Sequence, residues 1–275
     1  MPLVRTNDIE TYYERRGEGP PVVFVHSAFL DHRQWTPQVE ALADEYETVT
    51  YDLRGLGRSG GSNEDRYTIE LYAADLAALV DELGLDSPVV CGLSLGGLVA
   101  QTYAVRYDCD VRGLVLADTA ASMTLRLRDR LLVALTPAWT VTGAMRVLGM
   151  ARVADLGLRL AARTLGREWL PRDPADLAYV GRAIAAVDPA EATRSFRATW
   201  GFRGVDLASV DVPTLVLTGE HEAKSFLAQA RALERSIPDS RRVVVPAAGH
   251  LSNLDNPEAF TAELRTFLES LDVAK

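Results

Sequence analysis

One stretch of the chain, residues 89–101, constrains its fold more than any other. A short apolar run after Pro88 predicts a buried strand and residues 95 to about 107 predict a helix, so Gly92-Leu93-Ser94-Leu95-Gly96 lies at the turn between them. In such a turn the serine adopts a strained backbone conformation that pushes its hydroxyl out of the sheet, and the two glycines avoid a collision. We therefore interpret the turn as a nucleophile elbow with Ser94 at its tip.

The segments around this turn predict an α/β fold. Short strand-like runs, most of them apolar as is typical of a parallel sheet, alternate with helical patterns. They lie at residues 22–25, 47–51, 89–93, 112–117, 212–218 and 242–245. Residues 3–15 predict an antiparallel hairpin at the sheet edge. We expect a doubly wound, mostly parallel sheet, and 275 residues are enough for one large domain of this kind.

The alternation of strands and helices stops between residues 119 and 210, where the pattern is helical with breaks at Pro137, Gly143, 166–174 and Asp188-Pro189. The end of the sheet at which Ser94 lies is the only end that the predicted core leaves uncovered. We therefore expect residues 119–210 to form a lid over it, inserted into a core made of residues 1–118 and 211–275. The residues expected on the apolar underside of the lid, or alternatively in its own core, are Leu125, Leu127, Leu131, Leu132, Leu135, Trp139 and Val147.

Ser94 needs a base, because a serine hydroxyl is a poor nucleophile at neutral pH until its proton is removed. The chain has four histidines. Of these, His250 follows the last predicted strand, and loops after parallel strands open at one edge of the sheet. We therefore predict that His250 is the base.

A histidine base needs a carboxylate that fixes its tautomer and stabilises the imidazolium. Glu222 and Asp118 each follow a predicted strand, and each keeps the chain order serine, acid, histidine. Glu222 is the preferred candidate and Asp118 the alternative, while Glu220 and Asp255 are less favoured.

Acyl transfer also needs hydrogen-bond donors for the developing oxyanion. The backbone N–H of Leu95 lies next to the nucleophile at a helix N-terminus, and that of Ala28 lies in the loop after the strand at 22–25. We predict that these two N–H groups form the oxyanion hole.

Composition excludes several classes of partner. The net charge of −9 argues against a nucleic-acid footprint and against polyanionic substrates, so we expect a small, neutral, apolar substrate. The spacing of Gly55-Leu56-Gly57-Arg58-Ser59-Gly60 permits a phosphate-binding loop, but the next helical pattern begins only at Thr68, which favours a structural turn. Because the sequence has no Cys/His cluster, we expect no metal ion and no cofactor.

The cysteines and the apolar runs bear on the compartment. Cys91 and Cys109 allow at most one disulfide, and we interpret both as free thiols of a reducing compartment. The first residues lack the apolar run of a signal peptide. The longest uncharged run, 131–145, is shorter than the ~18 to 20 apolar residues of a membrane span. We expect a cytoplasmic protein with no membrane span.

These motifs together resemble the α/β-hydrolase fold superfamily, and the resemblance covers nearly the whole chain apart from the lid. The matching segments are Val25-His26-Ser27-Ala28, residues 51–59, Gly92-Leu93-Ser94-Leu95-Gly96-Gly97, residues 212–220 and Ala248-Gly249-His250. Residues 92–97 and 249–254 are most similar to the enol-lactonase and small carboxylesterase branch. Two positions differ from the usual pattern, since Ser27 stands where glycine is usual and Glu222 where aspartate is usual. Some relatives place the acid after the preceding strand, where this chain has Asp118.

The resemblance implies a serine hydrolase that acts on a carboxylic ester or lactone through an acyl-enzyme on Ser94. Related reactions on the same groups are cofactor-free perhydrolysis and carbon–carbon bond hydrolysis. Branches that use aspartate as nucleophile, the haloalkane dehalogenases and epoxide hydrolases, are disfavoured because this chain has serine there. The alternative outside catalysis is a protein of this fold that binds a small ligand without turnover.

Overall fold

The computed structural model describes residues 2–62, 64–107, 111–123 and 138–273. The strands in this part of the chain are β1 (Leu3–Thr6), β2 (Ile9–Arg16), β3 (Pro21–Val25), β4 (Glu47–Tyr51), β5 (Val89–Leu93), β6 (Gly113–Ala117), β7 (Thr214–Gly219) and β8 (Ser240–Val245). The α-helices are α1 (Thr36–Leu42), α2 (Ile69–Leu83), α3 (Leu95–Arg106), α4 (Ala138–Leu148), α5 (Met150–Thr164), α6 (Pro174–Ala186), α7 (Pro189–Gly201), α8 (Lys224–Ser236), α9 (Ser252–Asp255) and α10 (Pro257–Val273).

The eight strands form one sheet in the order β1-β2-β4-β3-β5-β6-β7-β8. Strands β1 and β2 form the predicted hairpin, and β2 runs antiparallel to β4. From β4 to β8 every neighbouring pair is parallel. The predicted α/β fold with a mostly parallel sheet is confirmed. Because β3, β5, β6, β7 and β8 run in the same direction, the loops that follow them open at one edge.

Both faces of the sheet are covered, which explains the continuous apolar runs. In β3, Val23 and Val25 pack into the cluster that includes α2 and α3. The alternate residues Val22 and Phe24 pack into the cluster that includes α1 and α10. Side chains that alternate along a strand point to opposite faces, so residues 22–25 of β3, buried on both faces, are all apolar.

Local signals fix the N-terminal ends of two helices. The Thr68 hydroxyl accepts the N–H of Leu71 at 3.1 Å and caps α2. The side chain of Asn256 accepts the N–H of Ala259 at 3.1 Å, directly before Pro257 begins α10. Such caps satisfy backbone donors that have no partner within the helix.

Within the described residues between β6 and β7, 118–123 and 138–213, there are four α-helices, α4 to α7. The prediction that Trp139 and Val147 line an apolar underside is wrong, because their side chains are 75% and 87% exposed. Helix α4 instead faces α7 with Thr142, whose hydroxyl lies 2.9 Å from that of Thr193. The other predicted underside residues, Leu125, Leu127, Leu131, Leu132 and Leu135, lie outside the described residues, as does Cys109.

Cys91 is buried within β5 as a free thiol. Burial raises the pKa of this thiol well above its usual range. In the part of the chain that the structure describes, no helix combines the length and the apolar character that crossing a bilayer requires.

Candidate active site

The turn between β5 and α3 has the backbone geometry predicted for an elbow. Ser94 has φ 54° and ψ −113°, a backbone conformation that residues other than glycine rarely adopt. A Cβ added at Gly92 would overlap the carbonyl oxygen of Gly96, and one added at Gly96 would overlap the carbonyl oxygen of Val25. The two glycines are therefore required by close backbone approach, and the turn presents Ser94 at the edge of the sheet.

The loops after β7 and β8 bring Glu222 and His250 to Ser94. Nε2 of His250 lies 3.1 Å from Oγ of Ser94, and Nδ1 of His250 lies 2.5 Å from Oε2 of Glu222. A proton on Nδ1 that is donated to the carboxylate leaves Nε2 free to accept the serine proton. The Glu222 side chain is fully buried and that of His250 is 12% exposed. The three residues form one continuous hydrogen-bonded chain.

The charge of Glu222 sets the protonation of His250. Burial lowers the pKa of His250, but the charge and hydrogen bond of Glu222 outweigh burial and raise this pKa above its ordinary value. A raised pKa means that the site stabilises the imidazolium. That is the property a serine nucleophile requires of its base.

The second oxygen of Glu222 is held by two further donors. Oε1 accepts the indole N–H of Trp169 at 2.6 Å and the backbone N–H of Ala223 at 2.6 Å. With His250 on Oε2, the buried carboxylate accepts three hydrogen bonds, which offset the loss of its hydration. This set of donors fixes the orientation of the carboxylate.

Asp118, the alternative acid, ends β6 but its two oxygens bind other groups. Oδ1 accepts the N–H of Gly219 at 2.8 Å, and Oδ2 lies 2.5 Å from the hydroxyl of Ser252. Burial, with the charge of Glu222, raises the pKa of Asp118 to about 8, so the carboxyl is mainly neutral at pH 7. Of the two candidate acids, the structure pairs Glu222 with His250.

The two less favoured acids brace the loop that carries His250. Glu220 accepts the N–H of Ala247 at 2.8 Å. Asp255 accepts the N–H of Gly249 at 2.7 Å and that of Arg172 at 2.8 Å. Their hydrogen bonds hold the backbone just before His250 and not its imidazole.

The loop after β3 places Ala28 beside the elbow. The N–H of Ser27 donates to Oε1 of Gln34 at 2.8 Å, so this amide is engaged away from the site. The left-handed conformation in the loop falls on Phe29, with φ 66°, and not on Ser27, where glycine is usual in the resembled family. Among the described residues no hydrogen-bond acceptor pairs with the N–H of Ala28 or of Leu95. Ala28, Leu95 and Ser94 all line the same cavity.

The other three histidines have partners away from Ser94. His26 is fully buried, hydrogen-bonds backbone groups through both ring nitrogens, and has its pKa lowered by burial. Nδ1 of His32 lies 2.7 Å from Asp52. His221 lies 3.0 Å from a guanidinium nitrogen of Arg172.

Asp31, His32 and Asp52 place possible metal-ligand atoms within 4.8 Å of one another. Arg33 pairs with Asp31 at 2.6 Å, and Asp52 accepts the backbone N–H of His32 at 2.7 Å. Since these partners balance the acidic groups within the protein, we interpret the cluster as structural.

Asp52 also accepts the N–H of Arg58 at 2.7 Å, which folds the glycine-rich segment 55–60 into a turn.

Ser94 and His250 open into a cavity of about 400 Å³. None of the described lining residues is aspartate, glutamate, lysine or arginine. The polar side chains of the lining include Ser94, His250 and Thr119, with Ser27, Thr199 and Ser225. The apolar walls come from the sheet edge and from the helices between β6 and β7, and include Phe29, Leu98, Leu158, Ile184, Phe196 and Trp200. A cavity of this size and lining suits a small apolar molecule.

Sequence reasoning missed two residues of the site. Gln34, whose side chain holds the N–H of Ser27 next to Ala28, lies in a segment to which the sequence analysis assigns no role. Trp169 lies in the break between two helical patterns, where side chains show no periodicity. The one available signal was that the chain has only four tryptophans, and this one precedes a proline-rich break.

Comparison with known proteins finds one matching family model and several similar proteins. A family model described as the alpha/beta hydrolase fold matches residues 20–257. The 3-oxoadipate enol-lactonase 1 of Acinetobacter baylyi is 28% identical over 272 residues, which cover 92% of this chain and 90% of the relative. A thermophilic esterase from Thermogutta terrifontis superposes with a TM-score of 0.83 at 30% identity, covering 98% of each chain. The enol-lactonase from Burkholderia xenovorans LB400 gives a TM-score of 0.82 at 29% identity, covering 98% of this chain and 100% of the other.

Proposed function

Because this chain belongs to the alpha/beta hydrolase fold family, which matches most of its length, we propose that it is a serine hydrolase that cleaves a carboxylic ester or lactone through an acyl-enzyme on Ser94. The observation that carries the proposal is the hydrogen-bonded chain from Ser94 through His250 to Glu222, of which Ser94 and His250 line a largely apolar cavity. The enol-lactonases and the esterase that the chain resembles are hydrolases.

In the first step His250 removes the hydroxyl proton of Ser94 while Oγ attacks the substrate carbonyl. The 3.1 Å between Oγ and Nε2 is within reach of direct proton transfer. The imidazolium that forms is stabilised by the Glu222 carboxylate, which accepts a hydrogen bond from its Nδ1–H and stays ionised.

The negative charge of the tetrahedral intermediate falls on the former carbonyl oxygen. In the proposal, the backbone N–H groups of Ala28 and Leu95 donate to it, and losing one such donor lowers rates roughly 10²- to 10³-fold in comparable sites. His250 then gives its proton to the departing alcohol oxygen, which leaves an ester on Ser94. A water molecule activated by His250 attacks this ester and releases the acid.

The cavity favours a neutral, apolar acyl group. A carboxylate on the substrate would leave water for a cavity in which no described lining residue carries a positive side chain, and burying an unpaired charge is strongly unfavourable. In this proposal residues 119–210 form the lid, and Leu158, Ile184 and Phe196 supply its apolar contribution to the cavity.

A fluorophosphonate probe tests the reaction class. The probe should label Ser94, and labelling should disappear in Ser94→Ala. A wild-type protein that stays unlabelled, yet binds apolar esters, would be a ligand-binding protein and not a hydrolase.

Matched esters test the substrate class. The p-nitrophenyl esters of pentanoic acid and of succinic acid have acyl groups of similar length, but the second carries a carboxylate. We expect kcat/KM to be at least about 100-fold higher for the pentanoate, the ratio that an unpaired buried charge of about 3 kcal/mol produces. Equal values for the two esters would refute the apolar specificity.

A further inference from the structure

Trp169 makes three contacts with the residues proposed to act together. Its indole ring stacks on the imidazole of His250, with ring centres 4.6 Å apart and planes inclined by 17°. Its Nε1–H donates to Oε1 of Glu222 at 2.6 Å. Its carbonyl oxygen accepts the backbone N–H of His250 at 3.0 Å. The tryptophan thus contacts both the acid and the base, although it comes from the segment between β6 and β7.

The geometry of Glu222 explains what such contacts provide. Glutamate has one more rotatable bond than the aspartate usual at this position in the resembled family, so more conformations must be excluded to aim one oxygen at His250. Because Trp169 and Ala223 hold Oε1, Oε2 is left facing Nδ1 of His250. Stacking on the indole limits the tilt of the imidazole in the same way.

The backbone around Trp169 is itself held in place. Trp169 ends a short helical turn, Arg167–Trp169, and the guanidinium of Arg167 donates to the carbonyl oxygens of Leu170 and Pro171 at 3.3 and 2.8 Å. A Cβ at Gly249 would overlap the carbonyl oxygen of this turn at Glu168, so the turn and the His250 loop are in direct backbone contact. The turn at residues 167–169 is therefore held in a fixed position against the His250 loop.

We propose that Trp169 is a positioning residue that aligns Glu222 and His250 through its indole N–H and ring, so that the helical segment between β6 and β7 completes the catalytic unit. This inference rests on the proposed function for its effect on rate. The alignment of the carboxylate and the imidazole can be measured without turnover.

Trp169→Phe removes the N–H donor and keeps a ring that can stack. Loss of a hydrogen bond to a charged group lowers the expected kcat about 10- to 100-fold. Trp169 also lines the cavity, but phenylalanine keeps an aromatic ring there, so KM should change by less than about 3-fold. Trp139→Phe is the matched control, because Trp139 is 75% exposed and lies outside the cavity. Trp169→Leu, which removes ring and donor, should lose at least as much kcat, and thermal unfolding verifies that each variant is folded.

Combining the change with Glu222→Asp separates positioning from general damage. The shorter aspartate cannot keep one oxygen on Nε1 of Trp169 and the other on His250. Trp169→Phe should therefore change kcat by less than about 2-fold in the Glu222→Asp background. Equal factors in the two backgrounds, or unchanged kcat in both Trp169 variants, would overturn the proposal.

Proton NMR supplies a readout that does not depend on turnover. The Nδ1 proton shared by His250 and Glu222 should give a low-field resonance in the wild type and in Trp139→Phe, and this resonance should shift or broaden in Trp169→Phe. If the wild type neither labels nor hydrolyses esters but the resonance responds in this way, the proposed function fails while the positioning role stands. If esters are hydrolysed and the resonance and kcat of Trp169→Phe match the wild type, the positioning role fails alone.

Discussion

Glu222→Gln should remove most of the activity, because the structure dictates which way the amide points. Oε1 of Glu222 receives two donors, Trp169 and the backbone of Ala223. Glutamine has one acceptor oxygen, and placing it there satisfies both donors. Its NH₂ group then faces Nδ1 of His250, which must become an acceptor, so the proton moves to Nε2. In that tautomer Nε2 cannot accept the proton of Ser94.

The size of the effect follows from a wrong tautomer at an otherwise intact site. Comparable amide substitutions in serine triads lower kcat about 10⁴-fold. We expect about 10³- to 10⁴-fold here, equivalent to about 4 to 5.5 kcal/mol of transition-state stabilisation. KM should change little, because Glu222 does not line the cavity.

Asp118→Asn is the matched control. The asparagine oxygen can accept the N–H of Gly219 and its NH₂ group can donate to the hydroxyl of Ser252, so that only the long hydrogen bond from the N–H of Ser252 to Oδ2, at 3.3 Å, is lost. Its kcat should stay within about 3-fold of wild type. Steady-state hydrolysis of p-nitrophenyl pentanoate measures both variants. Near-normal kcat in Glu222→Gln together with a large loss in Asp118→Asn would refute the assignment of the acid.

Three further predictions follow from the same contacts. Because only neutral His250 accepts a proton, kcat/KM should fall on acidification with a midpoint above 6.5, since Glu222 raises the pKa of His250; a midpoint below 6.5 would contradict this. The pKa of Asp118 is raised from 3.8 to about 8 on folding, so the folded protein binds this proton more tightly than the unfolded chain does. The resulting contribution to the free energy of unfolding is complete below pH 3.8 and declines as pH rises to 8. In urea unfolding the wild type should therefore lose stability relative to Asp118→Asn over this range, and a constant difference would contradict the shift. Gly96→Ala should lower the free energy of unfolding by about 1–3 kcal/mol through overlap with the Val25 carbonyl, whereas Gly143→Ala, where a Cβ meets nothing within 4 Å, should not; equal effects would contradict the packing argument.

The sheet could be predicted from sequence because burial on both faces makes its strands continuous apolar runs. The elbow could be predicted equally well, since only glycine fits at positions 92 and 96 against the neighbouring backbone. The direction of the parallel strands then implied that Ser94, Glu222 and His250 come near one another.

The choice between Glu222 and Asp118 could not be made from sequence, because both follow strands that end at the same edge. It depends on side-chain partners far apart in the chain. Asp118 contacts Gly219 and Ser252, while Glu222 contacts His250 and Trp169.

The helices between β6 and β7 were the least predictable part. Trp139 is apolar and in a helix, yet it is exposed because α4 presents a different face to α7. Trp169 contacts the site from an aperiodic break, where no pattern distinguishes a buried side chain from an exposed one.

Trapping the acyl-enzyme tests the central claim most directly. Rapid acid quenching of the wild type during turnover of p-nitrophenyl pentanoate, followed by proteolysis and mass spectrometry, should find the acyl group on the peptide that contains Ser94, and at the side chain of Ser94. The adduct and turnover should both be lost in Ser94→Ala. Turnover that continues in Ser94→Ala, or an acyl group that accumulates on another residue, would contradict the account.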